Sequence, residues 1–207
     1  MASLVLIALG STGFVAIAVV SGGGFFGFLI SSTVGKQYVI RQIIDKSALV
    51  GTDVALDIGC GGGQVLLEVA SHIDAGISVG VDIWRRRDQF PNGSAYLIDN
   101  YKRSQIRNKI AVACANAVSL PFASSSFDLV TSNLVLHNIK GAENKFIALS
   151  EMVRVLKPDG RLVLADVGLS RKYIFVLKTL GLSNRKHSWT VPLFFAPFGL
   201  IVAERPA

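Results

Sequence analysis

Short apolar runs, each closed by an acidic or small polar residue, recur from Val54 onward and alternate with stretches whose apolar positions repeat every three to four residues. The runs beginning near Val54 and at Ile77–Val81, Ile110–Ala113, Phe127–Thr131 and Arg161–Ala165 read as buried strands. Between them, Gln64–Ile73, Ser94–Arg107, Glu143–Leu156 and Arg171–Leu180 carry the helical period. Strands that alternate with helices predict an α/β fold, with a parallel sheet and helices on both of its faces. Leu156-Lys157-Pro158-Asp159-Gly160 reads as a turn into the fifth strand.

The first strand, in Val54–Gly63 (VALDIGCGGG), ends in a loop with glycines at alternate positions, Gly59, Gly61 and Gly63. Such a loop lets a ligand lie against bare backbone, and Asp57 supplies an acceptor beside it. A dinucleotide fingerprint requires glycine where Gln64 stands, and a phosphate loop requires a Gly-Lys-Ser/Thr ending that is absent. About 20 residues further on, Asp82 closes the second strand, where a carboxylate can accept from ribose hydroxyls; capping of the following helix is the alternative.

In order and register, "VALDIGCGGG", "VGVDIW", "ANAVSLPF", "SFDLVTSNLVLHNI" and "EMVRVLKPDGRLVLADV" resemble the motifs of class I S-adenosylmethionine-dependent methyltransferases. The type is that of the ubiquinone/menaquinone C-methyltransferases and sterol methyltransferases, and the resemblance covers roughly Val39 to Arg205. It implies a Rossmann-like seven-stranded, mostly parallel sheet of order 3-2-1-4-5-7-6. Strand six would fall at Ser183–Thr190, and an antiparallel strand seven near Leu200–Ala203. It implies S-adenosyl-L-methionine as cofactor, with the methionine part against Gly59, Cys60, Gly61 and Gly63 and with Asp57 close by. Asp82 would hold the ribose, Ile83 would pack on the adenine, and Asn133 would line the path of the methyl group. Asn116, beside Ala117, stands where the family usually has an aspartate that accepts from the adenine amino group. An asparagine carbonyl can accept too, without charge assistance, so weaker binding is expected.

Composition divides the chain. All 21 Lys and Arg and all 14 Asp and Glu follow position 35, where they form about a fifth of the residues, ordinary for a globular domain. The positive mean hydropathy of +0.49 therefore reports an apolar N-terminus joined to a domain of normal polarity. The expected organisation is an anchor over 1–35 and a methyltransferase domain over 36–207. Leu4–Ile30, about 27 uncharged residues, is long enough to span a bilayer. The segment lacks the basic start and short apolar core of a signal peptide. Gly22-Gly23-Gly24 and Gly27 read either as a break in the span or as a close-packing surface. Lys36, Arg41 and Lys46 follow the segment, which places the domain on the cytoplasmic side by the positive-inside bias.

The net charge of +7 suits a domain beside an anionic membrane. Arg85-Arg86-Arg87 is its only dense run, and Lys102, Arg103, Arg107 and Lys109 read as a solvated helix face. No aromatic platform accompanies these residues, so no nucleic-acid partner is expected. Cys60 and Cys114 end strands one and three, with strand two between them, and so lie beyond disulfide reach as reduced core thiols. Two thiols are also too few for an arsenic methyltransferase, and no cluster has metal-ligand spacing, so no metal is expected.

Methyl transfer from a sulfonium needs alignment in a dry site more than it needs a base. His137 is a candidate acid–base residue, or else a helix-start residue packed near the site. Tyr173, Phe175, Trp189, Phe194, Phe195 and Phe198, with Pro192 and Pro197, suit a hydrophobic, lipid-like small-molecule acceptor. They equally suit cover for the sheet edge or contact with the membrane interface. The alternatives are a catalytically degenerate cofactor-binding or scaffold protein, favoured by Asn116, and a protein or nucleic-acid methyltransferase.

Overall fold

Seven strands form one sheet in the order β3-β2-β1-β4-β5-β7-β6 in the computed structural model. It describes residues 35–84, 94–104, 106, 109–169, 171–193 and 196–207. The strands are β1 (Val54–Ile58), β2 (Ile77–Asp82), β3 (Ile110–Cys114), β4 (Phe127–Asn133), β5 (Leu156–Val167), β6 (Ser183–Leu193) and β7 (Ala196–Glu204). All neighbouring pairs from β3 to β5 run parallel, and β7 runs antiparallel to both β5 and β6. The expected apolar span, the Gly22–Gly24 cluster, Arg85–Arg87, Arg107, Phe194 and Phe195 lie outside the described residues. Among those described, no helix is long and apolar enough to cross a membrane.

Alternate residues of each central strand feed two cores. Leu56, Ile58, Val130, Leu162 and Leu164 face one side, under α4 (Ala142–Val155) and α5 (Arg171–Thr179). Ala55, Leu129, Val163 and Ala165 face the other, packed with Val39, Ile40 and Ile43 of a helix at 35–47, α1, and with Val65 and Val69 of α2 (Gln64–His72). This two-sided burial is why the strands read as continuous apolar runs. Helix α3 (Ser94–Arg103) follows β2. It ends four residues short of the expected Arg107, where Ser104 turns its amide back to Asn100 and Tyr101 and its hydroxyl to Tyr101. Lys109 is not on that helix's face; its Nζ donates to the carbonyl of Ile73 at 2.7 Å.

Two further differences from the sequence reading have local causes. β5 begins at Leu156, because Leu156 pairs with Phe127, and the expected turn at Lys157–Gly160 is a register shift inside the strand. Asp159, at φ 59°, accommodates that irregularity, and its amide donates to the Arg205 carbonyl. Cys114 is exposed rather than a core thiol, because β3 is the edge strand. Cys60 is buried.

Helix α1 was not anticipated. Its C-terminal end is held by Arg161 of β5, whose guanidinium donates to the carbonyls of Ser47 and Ala48 and meets Asp53 at 2.6 Å. Asp53 in turn accepts from the Val50 amide. Both side chains are nearly buried, so removing one leaves the other charge uncompensated. Arg161→Met is expected to cost about 3 kcal/mol in denaturant unfolding. A loss within the roughly 1 kcal/mol of a surface pair would show that this pair does not hold α1.

Candidate functional site

The loop after β1 turns on three residues in the left-handed region, Gly59 at φ 73°, Gly61 at 49° and Gly63 at 81°. These are the alternate glycines, and Gly63 is the residue that caps α2. At Gly59 space is as restrictive as dihedral angle, since a Cβ there would run into Val135 Cγ2. Gly59 and Cys60 donate their amides to the Val81 carbonyl, which ties the loop to the end of β2.

Asp82 fixes the other side of the loop. One carboxylate oxygen accepts from the Gly61 amide at 2.8 Å, and the other from the Trp84 amide at 2.6 Å. Trp84 then donates its indole N–H to the Gly61 carbonyl at 3.2 Å. Asp82 is therefore a brace within the loop rather than a helix cap. From α3, Asn100 donates to the Gly62 carbonyl at 2.7 Å, and Tyr96 packs where a Gly62 side chain would be. Trp84, Tyr96 and Asn100 escaped the sequence reading. The i, i+4 spacing of Tyr96 and Asn100, on a helix following the acidic strand end, is the signal that could have found the latter two.

Asp57 lies beneath the loop, in the sheet. Thr131 Oγ1 of β4 donates to its Oδ1 at 2.8 Å, and the Leu66 amide in the first turn of α2 also donates to it. Burial pushes its carboxyl up to about 7 against these two hydrogen bonds, and neighbouring Asp82 adds to the rise. Burial likewise pushes the Cys60 thiol up, with Asp57 and Asp82 adding to it, so this sulfur is not a poised nucleophile.

The segment after β3 carries Asn116, whose Oδ1 accepts from the Val118 amide at 3.2 Å. α4 positions this segment: Glu151 accepts from the Leu120 amide, and Arg154 donates to Glu151 and to the carbonyls of Leu120 and Phe122. The Arg154 guanidinium holds the Glu151 carboxyl below the usual carboxylate range, although partial burial opposes it.

After β4 the chain makes a single turn at Leu136–Asn138. His137 sits on this turn with Nδ1 2.6 Å from Oδ1 of Asp166, a buried residue near the end of β5. Asp166 Oδ2 accepts from the His137 amide, so the carboxylate pins both the turn and the ring. Asp166 carried no signal in the sequence beyond ending an apolar strand.

These elements enclose a cleft of about 360 Å³ at the carboxyl ends of the strands, where ligands of such sheets lie. Gly59, Gly61, Asp82, Ile83, Asn116 and Ala117 line it, with Val135, Asn138, Lys140 and Asn144 opposite. Asp57, Cys60, Gly63 and Asn133 do not reach its wall. Asp57 lies under the loop rather than beside the cleft, its carboxylate spent on Thr131 and Leu66. Asn133 ends β4 with a buried Oδ1 that has no partner. His137 stands outside the lining, one residue from Asn138.

A family model described as "Methyltransferase domain" matches residues 56–164, and the chain belongs to this family, whose methyl donor is S-adenosyl-L-methionine. A ubiquinone/menaquinone biosynthesis C-methyltransferase of Geotalea uraniireducens is 32% identical over 141 residues, 68% of this chain and 54% of that protein. A demethylmenaquinone methyltransferase of Lactobacillus johnsonii is 31% identical over 123 residues, 58% of this chain and 46% of that protein. The chain spans about half the length of these curated relatives. Among solved structures, the N-methyltransferase NodS of Bradyrhizobium japonicum in complex with S-adenosyl-L-homocysteine matches with a TM-score of 0.67. It is 19% identical, and the match covers 83% of this chain and 87% of that one, a likeness of fold.

The cleft fits a molecule of the donor's chemistry. Gly59 and Gly61 bring backbone to the cleft wall, the Asp82 carboxylate keeps acceptor capacity beyond its two amide partners, and the partly exposed Ile83 offers an apolar face.

Two outcomes test this geometry. Gly59→Ala is expected to destabilise by roughly 1–2 kcal/mol through its dihedral angle alone, with the Val135 clash added. Val135→Ala in the same chain should recover only the clash, and full recovery in denaturant unfolding would show that backbone conformation is not the constraint. For Asp57, the carboxyl stays protonated in the folded chain up to about pH 7 but ionises near pH 4 when unfolded. The folded state then holds the extra proton, so this group's contribution falls as pH rises from about 4 to 7 and is level above. Asp57→Asn should therefore gain stability on the wild type across that window. A constant difference would place the Asp57 carboxyl at its ordinary value.

Proposed function

We propose that this chain is a membrane-anchored methyltransferase that carries a methyl group from S-adenosyl-L-methionine to a small hydrophobic acceptor. The observation that carries the reading is the cleft itself: a glycine loop lining it with Gly59 and Gly61, a carboxylate at the end of β2 and an apolar Ile83, converging at the carboxyl end of the parallel strands. Bound there, the cofactor supplies an already activated methyl group, so the protein's task is alignment and exclusion of water.

In this reading, Asp82 uses its remaining acceptor capacity on the ribose hydroxyls, and Gly59 and Gly61 admit the methionine portion. Cys60 and Gly63 act through the loop's shape. Ile83 and Ala117 flank the adenine, and Asn116 accepts from its amino group with the lone pair not engaged by Val118. Asn133, at the end of β4 and off the lining of the cleft, acts through the position of the turn that follows it. Asp57 is a positioning residue that carries the strain of burial to hold α2 under the loop.

The relatives' names point to quinone-like acceptors, which agrees with an apolar, lipid-dissolved substrate. The uncharged stretch Leu4–Ile30 supplies the tether, and Lys36, Arg41 and Lys46 after it set the domain on the cytoplasmic face.

Calorimetry on the full chain with S-adenosylhomocysteine tests the site. Asp82→Ala should weaken binding by about 2 kcal/mol, roughly thirtyfold. Asn116→Asp should tighten it several-fold by restoring charge assistance while keeping the turn to Val118. Unchanged affinity in both variants would refute the placement. Label transferred from the methyl-labelled cofactor should enter the lipid fraction of a membrane extract, and transfer to protein or RNA instead would refute the acceptor class.

A further inference from the structure

The helices α4 and α5 pack against one another on one face of the sheet. Each begins after the carboxyl end of a strand, β4 and β5 respectively, so both start at the end that holds the cleft. On α5, Tyr173, Ile174, Val176 and Leu177 face the core. That orientation turns Arg171, Lys172, Phe175 and Lys178 outward, and Phe175 is 72% exposed. α5 contains no acidic residue. On α4, Phe146 and Ile147 are exposed beside the half-buried Lys145, and Lys140, just before the helix, lines the cleft.

Phe146 and Phe175 each stand four residues past the start of their helix, about 6 Å along it. The exposed aromatics therefore share the cleft's end of the molecule. Among the described residues, Lys140, Lys145, Arg171, Lys172 and Lys178 enter no ion pair. Glu143 is the one exposed acid in the first turn of α4. Apolar side chains ringed by unpaired cations are the composition of an interfacial membrane surface: the cations meet anionic headgroups and the apolar groups enter the acyl boundary.

We propose that this α4–α5 face docks on an anionic lipid bilayer, with Phe175, Phe146 and Ile147 inserted among the headgroups and the cleft turned toward the membrane. The lipid surface is favoured over nucleic acid because the cations are interleaved with aliphatic and aromatic groups presented outward from convex helices, not along a groove. The inference deepens the proposed function and rests on it for its purpose, since a docked cleft receives an acceptor dissolved in the bilayer. It rests on α4 and α5 alone and draws nothing from the N-terminal segment.

The test uses full-length Phe175→Trp, compared with the wild type to subtract Trp84 and Trp189, mixed with vesicles that contain bromine-labelled phosphatidylcholine. Neutral vesicles and vesicles with about a third phosphatidylglycerol are compared, and flotation records total binding. The added emission should be quenched in anionic vesicles. That quenching should be lost in neutral vesicles, at about 1 M salt, which collapses the screening length to a few ångström, and when Lys172→Glu and Lys178→Glu are added. Flotation without quenching overturns the docking face and leaves the tether intact. Quenching on anionic vesicles with no flotation on neutral ones upholds the face and removes the tether. A spectral response to single-stranded RNA but not to vesicles overturns the lipid assignment. Retained S-adenosylhomocysteine binding in each variant shows that the fold is intact.

Discussion

The carboxylate of Asp82 is the constraint on which the site depends. A loop rich in glycine has no side chains to hold it, and glycine surrenders more backbone freedom than any other residue when it is ordered. Asp82 offsets that cost by accepting from Gly61 and Trp84 at once, and the indole of Trp84 closes the ring onto the Gly61 carbonyl. The charged group that would meet a ligand thus also fixes the surface on which the ligand would lie. Asn100 and Tyr96 complete the clasp from α3.

Beneath the loop the sheet accepts a different cost. Asp57 is buried between Thr131 and the first turn of α2, and its carboxyl is pushed up to about 7 by that burial. A neutral side chain would avoid this expense. The carboxyl group's two hydrogen bonds, from Thr131 and Leu66, tie β1, β4 and α2 to one another beneath the loop. On the far side, Asp166 does comparable work for the turn after β4 by pinning both the amide and the ring of His137. Asp82 and Asp57 hold the glycine loop and the elements beneath it, and Asp166 holds the turn after β4, each through different partners.

How much of this was legible follows from the kind of signal each residue carries. The buried strands were readable because two-sided burial leaves continuous apolar runs, and the alternate glycines were readable because three positive φ angles at Gly59, Gly61 and Gly63 require them. Asp82 was legible from its place at a strand end. Asp57 was found, but its direction was not: neither apolar periodicity nor glycine spacing says which face of β1 a carboxylate takes, and it faces α2 rather than the cleft. Helix α1 was missed although Val39, Ile40, Ile43 and Ile44 repeat at the helical period; what no local pattern records is its tie to the domain, made from a distance by Arg161. Trp84, Val135 and Asp166 act through partners far away in sequence, which no local pattern records. The edge position of β3, and with it the exposure of Cys114, belongs to topology and not to the strand's own residues.

The most direct measurement is a crystal structure of the chain with S-adenosylhomocysteine bound. The expected result is ribose hydroxyls within hydrogen-bond distance of Asp82, the adenine against Ile83 and the methionine portion along the backbone of Gly59 and Gly61. A ligand seated away from the Gly59–Gly63 loop, or one whose ribose leaves Asp82 with only its Gly61 and Trp84 partners, would contradict the assignment.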